Sequence, residues 1–444
     1  MKNLNYPRIS IVLVGALIGI LVLGGSWNAF SQQPATGEDK DLGRSILSQI
    51  KDDLKKHYYD PNFHGMDLDT RFKTADEKIK QATTLGQIFG TIAQVLVDLD
   101  DSHTSFLPPG RVNRTEYGWY MQMVGDKCYV NAVKPGSDAE AKGLRPGDQV
   151  LSIDGIEPNR QNLWKINYAY RALRPRLGMR LVVAKPDGKQ AQIDVLAKVT
   201  PGKQTVDLTN YNDIWILIKD AEKESRLFRH RYVQDEDVFI WKMPQFDLSE
   251  GQVDDLAGKF RKKKGLILDL RGNSGGYEET LLRLLGNVFP QNVNLGEIKR
   301  RKETKPLIAK SRGEAAFAGK LIVLIDSQSA SSSELFARVV QLEKRGTVIG
   351  DSSSGAVMRS MQYTHQVGGA FVKLFGVSIT DADVIMTDGK SLERVGVTPD
   401  EIRLPLATDI AANRDPVLAY AASLLGVNMS PEKAGSLFPL EWLK

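Results

Sequence analysis

Two stretches constrain the fold of this chain more than any others. Residues 265–270 (GLILDL) and 321–325 (LIVLI) are nearly unbroken apolar runs, too short to cross a bilayer and long enough for strands buried on both faces. Each leads directly into a turn and then an amphipathic segment: RGNSGG (271–276) before 279–289, and DSQSASSSE (326–334) before LFARVVQLEKRG. Strand, turn and helix, repeated, predict βα units and an α/β core.

The chemistry of the two turns is open at this level. RGNSGG lacks the Lys-Ser/Thr of a P-loop and the spacing of a dinucleotide fingerprint, so phosphate binding is disfavoured. Its glycines suit either a tight βα turn or a backbone N–H aimed at a developing oxyanion. Ser331 lies three residues before Glu334, the spacing of a capping box. A serine at a strand-to-helix turn is equally how a nucleophile is presented at a helix N-terminus.

At 444 residues the chain has room for two or three domains of about 150 residues each. With 42% hydrophobic and 25% charged residues, disorder and fibrous repeats are excluded. A net charge of +5, from 59 basic and 54 acidic side chains, gives no field for a polyanion, so no nucleic-acid partner is expected. Cys128 is the single cysteine, which excludes an internal disulfide and a thiolate cluster, and the five histidines show no ligand spacing; neither metal nor cofactor is implied. Lys2 and Arg8 precede an apolar stretch, 9–25, followed by Ala29, Ser31 and Gln32, the layout of a secretory signal over 1–31. Cleavage is slightly favoured over retention as a membrane anchor, since the stretch sits at the lower edge of spanning length.

From 42 to 99 apolar residues recur at helical spacing, with Thr84 placed to cap the last helix. This predicts a helical domain over 32–110. It ends in the polar string DLDDSHTSFLPPG (98–110), where paired prolines stop any helix. His103 there is either a capped loop histidine or a functional one.

The next segment changes to short strands and turns: Gly118, Trp119, Tyr120 and Met121, an apolar strand at 129–133, KPGSDAEAKG, then LRPGDQVLSIDG. This resembles a PDZ domain, over 111–199. The resemblance implies that the loop at Gly118–Met121 presents backbone N–H groups to a carboxylate while the adjoining strand edge pairs with an extended peptide. The implied ligand is a protein C-terminus. The alternative is a PDZ domain that only packs against its neighbour.

Together DSHTSFLPP, the PDZ segment, GLILDLRGNSGG, VLIDSQSASSSELFA, TVIGDSSSGAV and DGKSLERVGVTPDEI resemble the carboxyl-terminal processing (tail-specific) serine peptidases. The resemblance implies an α/β multidomain fold with a peptidase core over 200–444. It places the nucleophile on Ser331 and an oxyanion-hole N–H on Ser332, with a partner from Gly275 or Gly276. In the Ser/Lys branch a lysine base follows the serine, and Ala356 stands at that position here. Arg359, the nearest cation in sequence, stays protonated. In the tricorn-like branch a histidine in an "SH" string and a glutamate in an "E-x-x-GV-x-PD" string act instead; Ser102-His103 and Glu393 match them. Ser102 is expected to add a hydrogen bond, while Asp100, Asp101 and Asp351 compete with Glu393 to orient the ring.

The expected protein is therefore an exported serine endopeptidase that binds protein tails through its PDZ domain and cleaves by a Ser-His mechanism. The competing reading is an inactive tail-binding adaptor. A nucleotide-binding α/β protein comes third. His57, His64, His230 and His365 lie in strings without catalytic context. The basic runs at 261–264 and 299–302 are expected to be solvated surface. Phe and Trp in the C-terminal SLFPLEWLK suggest packing or an interface.

Overall fold

The computed structural model describes residues 34–109, 113–201, 229–367 and 373–442. The signal or anchor segment expected over 1–31 lies outside them. Among the described residues no helix is long and apolar enough to cross a membrane.

Three helices come first: α1 (Gly37–His57), α2 (Leu68–Gln81) and α3 (Leu85–Val97). Thr84 caps α3 as its spacing predicts, accepting from the Gln87 N–H. Ile46, Ile50, Leu54, Ile79, Ile88 and Ile92 are fully buried among them. Yet this core is not closed by helices alone, because Phe375, Val377 and Ile379 of a distant strand pack into it. After α3 the chain forms β1 (Ser105–Leu107), which pairs antiparallel with that strand.

The PDZ-like region has its own core, from Tyr117 to Val195. Strands β2 (Asn113–Glu116) and β8 (Lys198–Pro201) pair at its base. The sheet β3 (Trp119–Val124), β4 (Lys127–Val133), β5 (Gln149–Ile153), β6 (Gly178–Ala184) and β7 (Gln190–Leu196) runs in that order, leaving β3 at an edge. Helices α4 (Asp138–Ala141) and α5 (Leu163–Asn167), the latter continued by a π-helical turn Tyr168–Leu173, complete it. The β3–β4 hairpin docks on the core. Gln122 Nε2 donates to Asp326 (2.7 Å), Ser327 Oγ donates to the Met123 carbonyl (2.6 Å), and Arg160 pairs with Asp351 (2.7 Å).

The core holds the expected parallel units. Strands β9 (Arg231–Gln234), β10 (Val238–Lys242), β11 (Gly265–Asp269), β14 (Lys320–Ile325), β15 (Gly346–Gly350) and β18 (Glu401–Ile402) form one sheet, in order β18-β15-β14-β11-β10-β9, parallel except at β9. Alternate side chains face opposite layers. Phe239, Trp241, Leu266, Leu268 and Val323 meet α6 (Glu250–Phe260), α7 (Glu278–Val288) and α8 (Ser332–Leu342). Ile240, Ile267, Ile322 and Leu324 meet α10 (Pro416–Ser423) and α11 (Pro431–Ser436), which follow the short α9 (Ala407–Ala411). A second sheet joins β1, β17 (Lys373–Met386), β12 (Val293–Arg300) and β13 (Thr304–Ala309), with β16 (Arg359–Val367) also on β17. That sheet links the helical region to the core.

Candidate active site

Ser331 stands between β14 and α8 with φ 55° and ψ −119°, a conformation that L residues adopt only when their surroundings hold them there. Two loops supply the hold. Ser329 Oγ donates to the Leu270 carbonyl (2.8 Å), Ser332 Oγ to the Gly276 carbonyl (3.1 Å) and Ser333 Oγ to the Asn273 carbonyl (2.9 Å). Each neighbouring serine thus spends its proton on the backbone. The Ser331 hydroxyl makes no cap bond and has no hydrogen-bond partner among the described residues, so the capping box is only half used. Its other half is present, for Ser331 N–H donates to Glu334 Oε2 (3.0 Å).

Glu334 is fully buried and collects four donors. Besides Ser331 N–H these are Ala356 N–H (3.0 Å), Gly355 N–H (2.7 Å) and Ser353 Oγ (2.5 Å). Burial pushes its carboxyl up to about 7 against the pull of those bonds.

The histidine comes from the loop between α3 and β1. Asp101, buried at 2% exposure, organises it by accepting from the backbone N–H of His103 (2.9 Å) and Thr104 (2.7 Å), from Thr380 Oγ1 (2.6 Å) and from Tyr58 OH (2.8 Å). His103 Nδ1 lies 2.7 Å from Ser102 Oγ, and that hydroxyl donates to Glu393 Oε2 (2.8 Å). A hydroxyl has one proton. With it given to Glu393, Nδ1 must be the donor to Ser102, which leaves Nε2 unprotonated and able to accept a proton. Burial lowers the His103 pKa, with the Asp101 charge opposing, and burial raises that of Glu393.

The acids proposed to compete for the ring are engaged elsewhere. Asp100 pairs with Arg394 (2.9 Å), Asp101 holds backbone, and Asp351 takes Arg160 and the Gly125 N–H. Glu393 acts on the ring through Ser102 rather than directly. It also accepts from Val357 N–H (2.9 Å), and the adjacent Ala356 carbonyl accepts from Ser331 N–H (2.8 Å). The serine and histidine clusters therefore share one stretch of backbone at 356–357. No direct Ser331–His103 hydrogen bond is formed. Arg359 is tied to Asp381 and to Glu278 and offers no base.

The glycine loop is set by a charge cluster around the buried Asp269. Arg271 bridges Asp269 (2.8 Å) and Asp415 (2.7 Å), and Lys242 adds a contact to Asp269 (3.2 Å). Gly275 N–H already donates to Asn273 Oδ1 (2.8 Å), so it does not serve as the free oxyanion donor. The N–H groups of Gly276 and Ser332 have no partner among the described residues. At Gly276, with φ 143°, a Cβ would come within 2.2 Å of the Phe246 carbonyl oxygen, so only glycine fits. Among the described residues no cluster of three or more His, Cys, Asp or Glu could hold a metal.

The Gly118–Met121 stretch turns a single side chain outward. Trp119 (2% exposed) and Met121 (6%) point into the PDZ core, and only Tyr120 (36%) faces out. Strand alternation dictates this, so Trp119 and Met121 can meet a peptide through backbone only. Gly118 turns the loop at φ 73°, where a Cβ would lie 2.5 Å from Ser137 Cβ. Of the remaining histidines, His64 bonds the Leu99 carbonyl, His230 bonds Asp247, His365 bonds Asp53, and His57 stacks on Tyr363.

A serine at a strained strand-to-helix turn, on a parallel α/β core carrying a PDZ domain, defines a class, and the comparisons agree with it. Residues 238–403 match Peptidase family S41 and residues 129–182 match the PDZ domain; the chain belongs to that peptidase family and is a serine protease of the carboxyl-terminal-processing class. It is similar to the carboxy-terminal-processing protease of Bartonella bacilliformis (strain ATCC 35685 / KC583 / Herrer 020/F12,63), 34% identical over 322 residues, 68% of this chain and 66% of the relative. It is also similar to the carboxyl-terminal-processing protease of Synechocystis sp. (strain ATCC 27184 / PCC 6803 / Kazusa), 24% identical over 332 residues, 71% of each. Among solved structures, mature CPAF superposes with a TM-score of 0.63 at 14% identity, covering 84% of this chain and 94% of that one. The photosystem II D1 C-terminal processing protease gives 0.51 at 18%, covering 88% and 99%. These two likenesses concern the fold.

Proposed function

We propose that the chain is an exported endopeptidase that binds protein C-terminal tails at its PDZ domain and cleaves by a Ser-His mechanism. Ser331 is the nucleophile. His103 is its general base, held in the Nδ1–H tautomer by Ser102, which is in turn held by Glu393. The N–H groups of Gly276 and Ser332 stabilise the oxyanion. Acyl transfer to Ser331 and hydrolysis of the acyl-enzyme by water complete the cycle. The observation that carries this reading is the Glu393–Ser102–His103 chain of hydrogen bonds, which ends on an imidazole nitrogen with no partner among the described residues. Lys2, Arg8 and the apolar stretch that follows support export. The division into 32–110, 111–199 and 200–444 is proposed with it, the first unit borrowing part of its core from β17.

The PDZ arm is tested with two versions of one peptide substrate, ending in a free carboxylate or in an amide. Amidation is expected to lower kcat/KM about tenfold or more, by removing the anion that the Gly118 loop receives; equal rates would remove tail recognition. The inactive adaptor remains the rival, favoured by Ala356 and by the missing direct Ser331–His103 bond, and it predicts binding of the acid peptide without turnover.

A further inference from the structure

The C-terminal segment behaves unlike the helices before it. After α11 ends at Ser436, Leu437 and Phe438 pack on the core. Arg231 lies over the Phe438 ring, 5.6 Å from its centroid, and donates to the Pro439 carbonyl (2.6 Å). Leu440 then stands 56% exposed, so the chain leaves the core surface. It touches down again at Trp442, whose ring stacks on Tyr120 at a centroid distance of 4.9 Å and an interplanar angle of 9°.

Tyr120 is the one side chain of the Gly118–Met121 stretch that faces outward. Arg171, on the π-helical turn opposite, places its guanidinium 5.1 Å from the same ring and donates to the Trp119 carbonyl (3.2 Å). β3 itself is an edge strand, so this is the face where an extended peptide would add. A tail that only closed the core would need nothing beyond Phe438; this one continues across exposed ground to the recognition loop.

We infer that residues 439–442 are an intramolecular cover for the PDZ peptide face, with Trp442 on Tyr120 as its latch, and that an incoming peptide must displace it. The inference rests on the reading of Gly118–Met121 as a peptide-binding loop. It also gives the ligand a chemistry: a displacing peptide carries an aromatic side chain able to take the place of Trp442 on Tyr120.

The test uses the full chain carrying Ser331→Ala, so that nothing is cleaved, and a fluorescein-labelled peptide of residues 435–442 (GSLFPLEW) as probe. Binding is measured by anisotropy to this chain, to the same chain with Trp442→Ala, and to one with Tyr120→Ala and Trp442→Ala together. Trp442→Ala is expected to tighten binding about three- to tenfold, the effect of losing one competing aromatic pair, and adding Tyr120→Ala should return it to the weak value. Equal saturable binding to the first two chains would overturn the cover while leaving the peptide-binding reading standing. Tightened binding that survives Tyr120→Ala would overturn the latch. Absence of saturable binding to all three would overturn the peptide-binding reading and the cover with it. Thermal unfolding of each variant checks that Tyr120→Ala acts on the face and not on the fold; if it unfolds, Tyr120→Leu, which keeps apolar bulk without a ring to stack, takes its place.

Discussion

Ser102 and Glu393 lie 291 positions apart and are joined twice, with the Ser102 N–H 2.8 Å from Oε1 and its hydroxyl 2.8 Å from Oε2 of the same carboxylate. The backbone bond holds the carboxylate in place and the hydroxyl bond fixes the serine rotor, and a fixed rotor fixes which His103 nitrogen carries the proton. Ser102→Ala is expected to lower kcat by roughly 10- to 100-fold with little change in KM, a part of the 100- to 10,000-fold attributed to general acid-base assistance. A parallel change in KM with kcat intact would mean that Ser102 serves substrate binding instead.

The pH dependence has a definite sign. In the proposed mechanism His103 acts as base and must be unprotonated, and burial holds its pKa below the ordinary 6.5. Neutral imidazole therefore persists to lower pH than in a free histidine, and the acid limb of kcat/KM should fall below 6.5. A limb at or above 6.5 would contradict this.

Glu334 gives a stability signature. Its carboxyl titrates near 4.5 when unfolded and at about 7 when folded, so across that window the native state holds the proton that the unfolded chain has lost. Its contribution therefore falls as pH rises from 4.5 to 7, by up to roughly 1.4 kcal/mol per unit. Glu334→Gln should flatten that slope. It should also cost about 1–3 kcal/mol, because an amide N–H₂ would face N–H donors in place of an acceptor. Denaturant titrations at several pH values measure both.

Backbone strain at Ser331 separates two inactive variants. Glycine adopts φ 55° freely and alanine does not, so Ser331→Gly should be more stable than Ser331→Ala by about 1 kcal/mol, and neither should cleave substrate. Chemical denaturation compares them directly.

Asp269→Asn should destabilise the core by about 1–3 kcal/mol, since the buried carboxylate would lose its charge-assisted bonds to the partly exposed Arg271 and Lys242. Burial opposes ionisation of Asp269, but Arg271 and Lys242 outweigh it and hold the carboxyl well below the usual range. Its stabilisation is present above the ordinary carboxylate range and is lost as pH falls through the depressed folded value.

The parts of this architecture legible in the sequence are those set by local chemistry. Period and capping located α3 and Thr84, and the apolar runs at 265–270 and 321–325 gave β11 and β14. The family resemblance singled out Ser331, and the structure adds that Ser329, Ser332 and Ser333 have committed their hydroxyls. Contacts across hundreds of residues were not legible. Neither the role of Tyr58 and Thr380 in holding Asp101 nor the closure of the helical core by β17 leaves a local signal. The inward turn of Trp119 and Met121 did leave one, since Trp119, Met121 and Met123 alternate with Tyr120 and Gln122, the period of a half-buried strand.

The central claim is that Ser331 attacks and His103 takes its proton. It is tested most directly by the rate of covalent labelling with a fluorophosphonate, mapped to its residue, in the wild-type chain and in His103→Ala. The account predicts label on Ser331 alone, formed roughly 100- to 10,000-fold more slowly in the variant. Label on Ser332 or Ser333, or a wild-type rate in His103→Ala, would contradict it.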